Sequence, residues 1–328
     1  MKHFFLYGDT CINAGPQNVN RSLVENSDEC MLYVESQNKY IRRIEKLLKG
    51  LYCSTVVLSA DYKLFDIKLF RLFGKRLVYI MHGCEQYENV INNLGLSKQR
   101  LLNEKKVLDE SDIIVAVSEN YSKWVKYKYP QYTDKVTFVN NGLAINNVFY
   151  SHEVVANKNK FSIAVSGGNR PIKCNLEVCR AVDIIIKEGM EIQIKAFGRF
   201  HDNGEQILNY HFVTQMGHMD KETYYSELRK TDLYVIASDT EPFGLVVGDA
   251  INCGCSLLMS KNVGAMSIFD NVLPEDILYD NHDIMEMASK IKHLLLHSNS
   301  KRLFDAVDKQ KCSARQSYLD LKKICLDE

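Results

Sequence analysis

Ser238-Asp239-Thr240-Glu241-Pro242-Phe243-Gly244-Leu245-Val246-Val247-Gly248-Asp249-Ala250-Ile251-Asn252-Cys253-Gly254 reads as the end of a strand, a tight loop and a helix. A short, largely apolar run precedes it at Leu233 to Ile236 and another follows at Ser256 to Met259, so the stretch closes a strand–helix–strand unit. Strands without polar alternation, separated by helices, belong to parallel sheets covered on both faces. Moving upstream, Phe161 to Val165, Ile192 to Phe197 and Phe212 to Thr214 continue the series, with helical patterns at Asn175 to Lys187, Lys221 to Arg229 and Leu245 to Cys253. An earlier series repeats the rhythm: His3 to Tyr7, Met31 to Val34, Thr55 to Leu58, Leu77 to Met81, Ile113 to Val117 and Val136 to Val139. The polar run Asn157-Lys158-Asn159-Lys160, in a seam near Asn146 to Lys160, separates the two. The expectation is an α/β protein of two Rossmann-like, doubly wound parallel-sheet domains facing a central cleft, residues 1–155 and 156–302. A last helical pattern, Arg302 to Cys325, is expected to return to the first domain as one helix over 303–328.

The bulk properties agree. At 328 residues the chain exceeds the roughly 250–300 at which one core stops growing, and 46% apolar residues with only 5 prolines describe packed structure. Lys plus Arg (41) equals Asp plus Glu (41), which leaves no bulk charge to draw the chain onto nucleic acid. Cysteines at 11, 30, 53, 84, 174, 179, 253, 255, 312 and 325 form no C-x-x-C pair and no Cys/His quartet for zinc, so they read as buried thiols in a reducing compartment. Gly8 and Asp9 interrupt the N-terminal apolar run too soon for a signal core, and no apolar run approaches the ~18 residues of a membrane span. A cytoplasmic protein is expected.

Ligands of open parallel sheets bind beyond the carboxyl ends of strands, so the loops there carry the chemistry. In the 238–254 stretch the amides of Phe243, Gly244 and Leu245 sit at a helix start, where unbonded N–H groups and the helix dipole suit an anion. Glu241 in the loop and Asp249 in the helix can accept hydrogen bonds from hydroxyls. An anion flanked by polyols describes a sugar nucleotide; a capped helix with a buried glycine and a surface Asp is the plainer alternative.

Glu241-Pro242-Phe243-Gly244-Leu245 through Asp249 to Gly254 is similar to the paired-acid signature of retaining glycosyltransferases of the GT-B fold, particularly the family-four group (glycosyl transferases group 1) that includes enzymes of bacterial surface polysaccharides. Other motifs follow in the family's order: Asn13-Ala14-Gly15-Pro16 after the first strand, His82-Gly83 after the fourth, Val117-Ser118-Glu119, Asn140-Asn141-Gly142, and Gly167-Gly168-Asn169-Arg170-Pro171-Ile172-Lys173. One departure stands out, since the second acid is Asp249 where Glu is usual, one methylene shorter. The resemblance implies a first domain for the acceptor and a second for the nucleotide-sugar, with Arg170 and Lys173 on the donor pyrophosphate. It further implies Glu241 on the sugar hydroxyls, Asp249 on the ribose, His82 facing the donor sugar, and Gly15 letting backbone approach phosphate. His82, Lys173 and Glu241 would carry catalysis; Gly15, Arg170, Phe243, Gly244, Leu245 and Asp249 would complete donor binding. It also implies a UDP-linked donor, a glycan or lipid-linked acceptor, retention of configuration, and no metal or other cofactor. Without it, His82 is equally a satisfied structural residue and the basic loop a pair of solvated charges. The same fold serves sugar-nucleotide 2-epimerases and non-catalytic partner subunits, which remain rivals.

Residues 39–76 hold ten basic and three acidic residues, interleaved at helical spacing with Ile41, Ile44, Leu47, Leu48 and Leu51, then Leu64, Phe65, Ile67, Leu69, Phe70, Leu72 and Phe73. This suits either two amphipathic core helices with solvated basic faces or contact with an anionic membrane surface.

Overall fold

The structure, a computed structural model, describes residues 2–10, 15–60, 62–151, 160–202 and 204–327. They divide into two compact units, one of residues 1–89, 94–144 and 310–328, the other of 90–93 and 145–309. The first holds β1 (Phe4–Tyr7), α1 (Gly15–Glu25), β2 (Met31–Leu32), α2 (Lys39–Tyr52), β3 (Thr55–Ser59), α3 (Leu64–Leu72), β4 (Arg76–Met81), α4 (Glu85–Ile91), α5 (Lys98–Glu110), β5 (Ile113–Ala116), α6 (Glu119–Lys128) and β6 (Val136–Phe138). The second holds β7 (Lys160–Val165), α7 (Asn175–Lys187), β8 (Glu191–Phe197), β9 (Val213–Gly217), α8 (Lys221–Leu228), β10 (Leu233–Ile236), α9 (Val246–Asn252), β11 (Ser256–Ser260), β12 (Ile277–Leu278), α10 (Ile284–Leu296) and α11 (Ser300–Asp305). The last helix, α12 (Ala314–Leu326), belongs to the first unit.

Each unit is one parallel sheet, ordered β2-β1-β3-β4-β5-β6 and β12-β11-β10-β7-β8-β9. In the second sheet the connections run one way from β7 and the other way from β10, which pair in parallel through Leu233–Ile163 and Tyr234–Ala164. That reversal makes a crevice at their carboxyl ends. The core beneath explains the continuous apolarity of the strands. Val178, Val182 and Ile185 of α7 and Met287, Ile291 and Leu294 of α10 recur at helical spacing and pack with Ile163, Ile194, Leu233 and Leu258 of the sheet.

One expectation needs correction. The pattern from Arg302 to Cys325 is two helices, because the chain between them gives its hydrogen bonds elsewhere. Asp308 N–H donates to the Ile268 carbonyl and Val307 pairs with Phe269, and α12 then starts afresh with Ser313 accepting from Gln316 N–H. β12 has two residues and left no readable run. The seam motif Asn157-Lys158-Asn159 and loop residues Cys11 to Ala14 lie outside the described residues. The nine described cysteines are free and buried, and no helix among the described residues is long and apolar enough to cross a membrane.

Candidate functional site

In the second unit, Gly167 to Lys173 follows β7 and Ser238 to Leu245 follows β10, and the crevice brings their charged groups together. Lys173 Nζ donates to Glu241 Oε2 at 2.5 Å, and Ser238 Oγ reaches the same oxygen at 3.3 Å. Both side chains of the pair are mostly buried. The loop glycines make this geometry. Gly167 has φ +86°, and a Cβ there would stand 2.7 Å from Lys173 Cγ, so the lysine stem lies across a position where no side chain fits. A Cβ on Gly168 would stand 2.0 Å from the Arg199 carbonyl oxygen, so this loop is pressed against the loop after β8. Arg170 remains in the loop, its Nε donating to the Gly167 carbonyl at 3.3 Å.

Glu241 is held through its backbone, its carbonyl accepting from Gly264 N–H at 3.0 Å. The chain then turns through Gly244 at φ +94° into α9. Phe243 is a core residue, so only its backbone could meet a ligand, and Leu245 caps the helix. Asp249 lies one turn into α9, where Tyr225 of α8 donates to its Oδ1 at 2.6 Å. Burial raises the Asp249 carboxyl above its ordinary range, with the Tyr225 bond and the Lys221 charge opposing. Sequence reading missed Ser238, Tyr225 and Gly198, the last at φ +103° against the backbone of Gly167 and Gly168. None carries a signature by itself.

One grouping of metal-ligand type exists among the described residues: Cys174, Asp239 and His282, with donor atoms within 4.8 Å of one another. Burial, then the charges of Asp239 and Glu177, push the Cys174 thiol far up, so it stays protonated. His282 is mostly exposed and lies 3.4 Å from Asp239 and 3.7 Å from Glu177. The three groups thus answer one another. Nearby Glu205 is pushed up to about 7 by burial, and next by Glu177.

In the first unit His82 follows β4, with Nε2 2.9 Å from Ser59 Oγ. Burial pulls the imidazole down to about 4, so it is neutral at ordinary pH. Gly15 opens α1 with open space around it, so no contact inside the protein demands a glycine there. Two motifs of the resemblance have structural roles: Ser118 caps α6 by accepting from Tyr121 N–H, and Gly142 makes room for Ala314 at the start of α12.

The basic segment packs differently in its two helices, α3 burying Ile67 and Phe70 with Lys68 exposed, as expected of a core helix. Helix α2 turns part of its basic face inward. Lys46 is buried with Nζ 4.6 Å from the centre of the Tyr7 ring, Arg43 pairs with buried Asp66, and Gly50 packs against Phe70. Of its apolar residues Leu47 and Leu51 are partly buried, whereas Tyr40, Ile41, Ile44, Leu48 and Tyr52 are each more than half exposed, as are Phe65, Leu72 and Phe73 around α3. The arginines are spent on partners: Arg42 with Asp9 at 3.1 Å, Arg71 with Asp112 at 2.9 Å, Arg76 with Asp327 at 2.5 Å. What the surface offers is an apolar stripe with exposed Lys39, Lys63 and Lys68 beside it.

Residues 187–309 match the family model described as Glycosyl transferases group 1. Among curated proteins, a probable sucrose-phosphate synthase of Thermosipho melanesiensis is 25% identical over 59% of this chain and 48% of its own length. A D-inositol 3-phosphate glycosyltransferase of Thermobispora bispora is 25% identical over 68% of this chain and 58% of its own. The chain thus spans about half the length of the curated relatives it matches. Among solved structures, HepE of Anabaena in complex with UDP and glucose superposes with a TM-score of 0.70 at 13% identity, each chain covered in full. The sucrose-phosphate synthase of Thermosynechococcus elongatus does so at 0.64 and 15%, again over both full chains. Residues 187–309 thus resemble the glycosyl transferases group 1, and the fold of the chain is GT-B.

Proposed function

We propose that this protein is a glycosyltransferase that moves a sugar from a UDP-linked donor to a hydroxyl of a glycan or lipid-linked acceptor in cell-surface polysaccharide synthesis, with retention of configuration and no obligatory metal. The observation that carries the reading is the Lys173–Glu241 pair at the β7/β10 crevice, inside a unit whose residues 187–309 match the family. As the glycosidic bond breaks, negative charge grows on the departing phosphate, and a fixed ammonium stabilises it more in the transition state than in the ground state. In the resting protein that ammonium and the Glu241 carboxylate neutralise each other. A sugar nucleotide brings phosphate to Lys173 and hydroxyls to Glu241, exchanging one set of partners for another and leaving neither charge buried alone. The Asp249 oxygen not engaged by Tyr225 takes the ribose. HepE, solved with UDP and glucose, supports a UDP-linked donor by its fold.

The same reading places the enzyme at the cytoplasmic face of an anionic membrane, where a lipid-linked acceptor resides. The exposed Tyr, Ile, Leu and Phe side chains of α2 and α3 beside lysines suit shallow insertion among headgroups. Incubation with a panel of UDP-sugars and lipid-linked acceptors, followed by UDP release and the anomeric configuration of the product, tests the reading. Absence of binding to every sugar nucleotide by calorimetry refutes it. An epimer formed from donor alone points to the epimerase reading, and binding without turnover to a partner subunit.

A further inference from the structure

We propose that Asn20 and Ser59 are positioning residues that lock His82 as the tautomer protonated on Nε2, so that Nδ1 acts as a hydrogen-bond acceptor for a substrate hydroxyl. The proton assignment follows from the partners. Asn20 Nδ2 lies 3.0 Å from the Asp9 carbonyl oxygen, which can only accept, so the amide nitrogen faces Asp9 and Oδ1 faces Ser59. That Oδ1 carries no hydrogen and stands 2.6 Å from Ser59 Oγ, so the single hydroxyl hydrogen of Ser59 goes to Asn20. Ser59 Oγ must then accept at its 2.9 Å contact with His82 Nε2, which places the imidazole hydrogen on Nε2. Asn20 and Ser59 are both fully buried, which keeps water from supplying an alternative donor or acceptor. Gly8 completes the arrangement, since a Cβ there would stand 2.5 Å from Asn20 Nδ2 and displace the amide.

The consequence is chemical. A neutral imidazole has one N–H, and this one is committed inward, so Nδ1 presents only a lone pair. It fits a hydroxyl that donates and offers nothing to a phosphate oxygen or a carbonyl. It also cannot supply a proton to a leaving group near neutral pH. His82 therefore recognises and orients an O–H group, which deepens the glycosyltransferase reading on which its substrate rests.

Long-range proton–nitrogen correlation spectra of protein labelled with 15N-histidine, with His82 assigned through His82→Gln, read the tautomer without any substrate. The expected wild-type result is a pyridine-type Nδ1 and a pyrrole-type Nε2; a hydrogen on Nδ1 overturns the proposal. Asn20→Ala releases the Ser59 hydrogen to turn toward His82, so the Nδ1–H tautomer should grow, and kcat/KM should fall about tenfold, the worth of one ordinary hydrogen bond. Ser59→Ala should likewise mix the tautomers. A histidine spectrum unchanged in both variants refutes the relay, and if neither variant folds the wild-type spectrum alone decides. A correct tautomer in a protein that transfers no sugar would sink the proposed function and leave this inference standing.

Discussion

Gly167→Ala tests how the site is built. Alanine at φ +86° costs about 1 kcal/mol for the backbone conformation alone. Its Cβ would also stand 2.7 Å from Lys173 Cγ and 2.9 Å from Cε, against about 3.5–4.0 Å for an ordinary carbon contact. The stem must therefore move by about 1 Å. Because it is flexible, that overpacking sits at the low end of its range, about 1 kcal/mol. The sum of about 2 kcal/mol should lower the unfolding midpoint of a unit of this size by about 4–8 °C. In a Lys173→Ala background the second contribution vanishes, and the same glycine substitution should cost about 1 kcal/mol, or about 2–4 °C. Thermal unfolding of the four proteins completes the cycle. Calorimetric titration with UDP should show Gly167→Ala weakening binding about tenfold in the Lys173 protein, and hardly at all once Lys173 is gone. Equal costs in the two backgrounds would show that the stem does not cross Gly167, and with it the account of how Lys173 is held would fall.

Lys173→Ala should lower kcat by two orders of magnitude or more with KM changed less, since the charge is felt chiefly as the bond breaks; wild-type kinetics would refute this. Asp249→Asn should mainly raise KM for the donor, and Tyr225→Phe should do the same more mildly by loosening the carboxylate, which initial-rate kinetics on the donor would show. For His82 the folded pKa of about 4 lies below the ordinary 6.5. The unfolded chain therefore takes up the proton first, and stability present above about pH 6.5 is lost as pH falls toward 4. The slope approaches 1.4 kcal/mol per pH unit and the total reaches up to about 3 kcal/mol; His82→Gln should flatten that part of the acid-unfolding curve. Ile44→Gln with Leu48→Gln should abolish liposome partition while Arg42→Gln with Arg71→Gln should not, in a sedimentation assay that raised salt weakens only slightly. Loss of binding in the arginine pair instead would restore an electrostatic surface.

The sheets were legible because a strand buried on both faces must be apolar, and eleven short runs name eleven of the twelve strands, the partly exposed edge strand β9 through Phe212 and Val213. The fold of the Lys173 and Glu241 loops followed from their place after β7 and β10. Residues that act through geometry were not legible. Ser59 is an ordinary end of strand, Asn20 an ordinary helix residue, and their meaning appears only when Gly8 lets them meet at β1 and β3. The segment 39–76 misled for a related reason. Composition counts charges without showing their partners, and nothing in the spacing of Arg42, Arg71 or Arg76 says that Asp9, Asp112 and Asp327 await them. Period 3.6 gives two opposed faces of α2 but not which one is turned inward, and here a Lys–Tyr contact and an Arg–Asp pair lie beneath while Ile41, Ile44 and Leu48 lie outside.

The return of α12 to the first unit sets an order for synthesis. Thr55 Oγ1 donates to the Cys325 carbonyl at 2.9 Å, and Lys322 Nζ lies 2.9 Å from Asp28. Partners some 270 to 294 positions apart in sequence cannot meet until α12 itself has left the ribosome. The second unit, whose segment 145–309 is continuous, has its strands and crossover helices in hand before that moment. The unit made first is thus completed last, with the edges of α1 and β3 uncovered in the interval. A chain shortened by its last two turns would leave the second unit's loops intact and strand the first as a sticky intermediate, so chaperone dependence in the cell should concentrate on the half that emerges earliest.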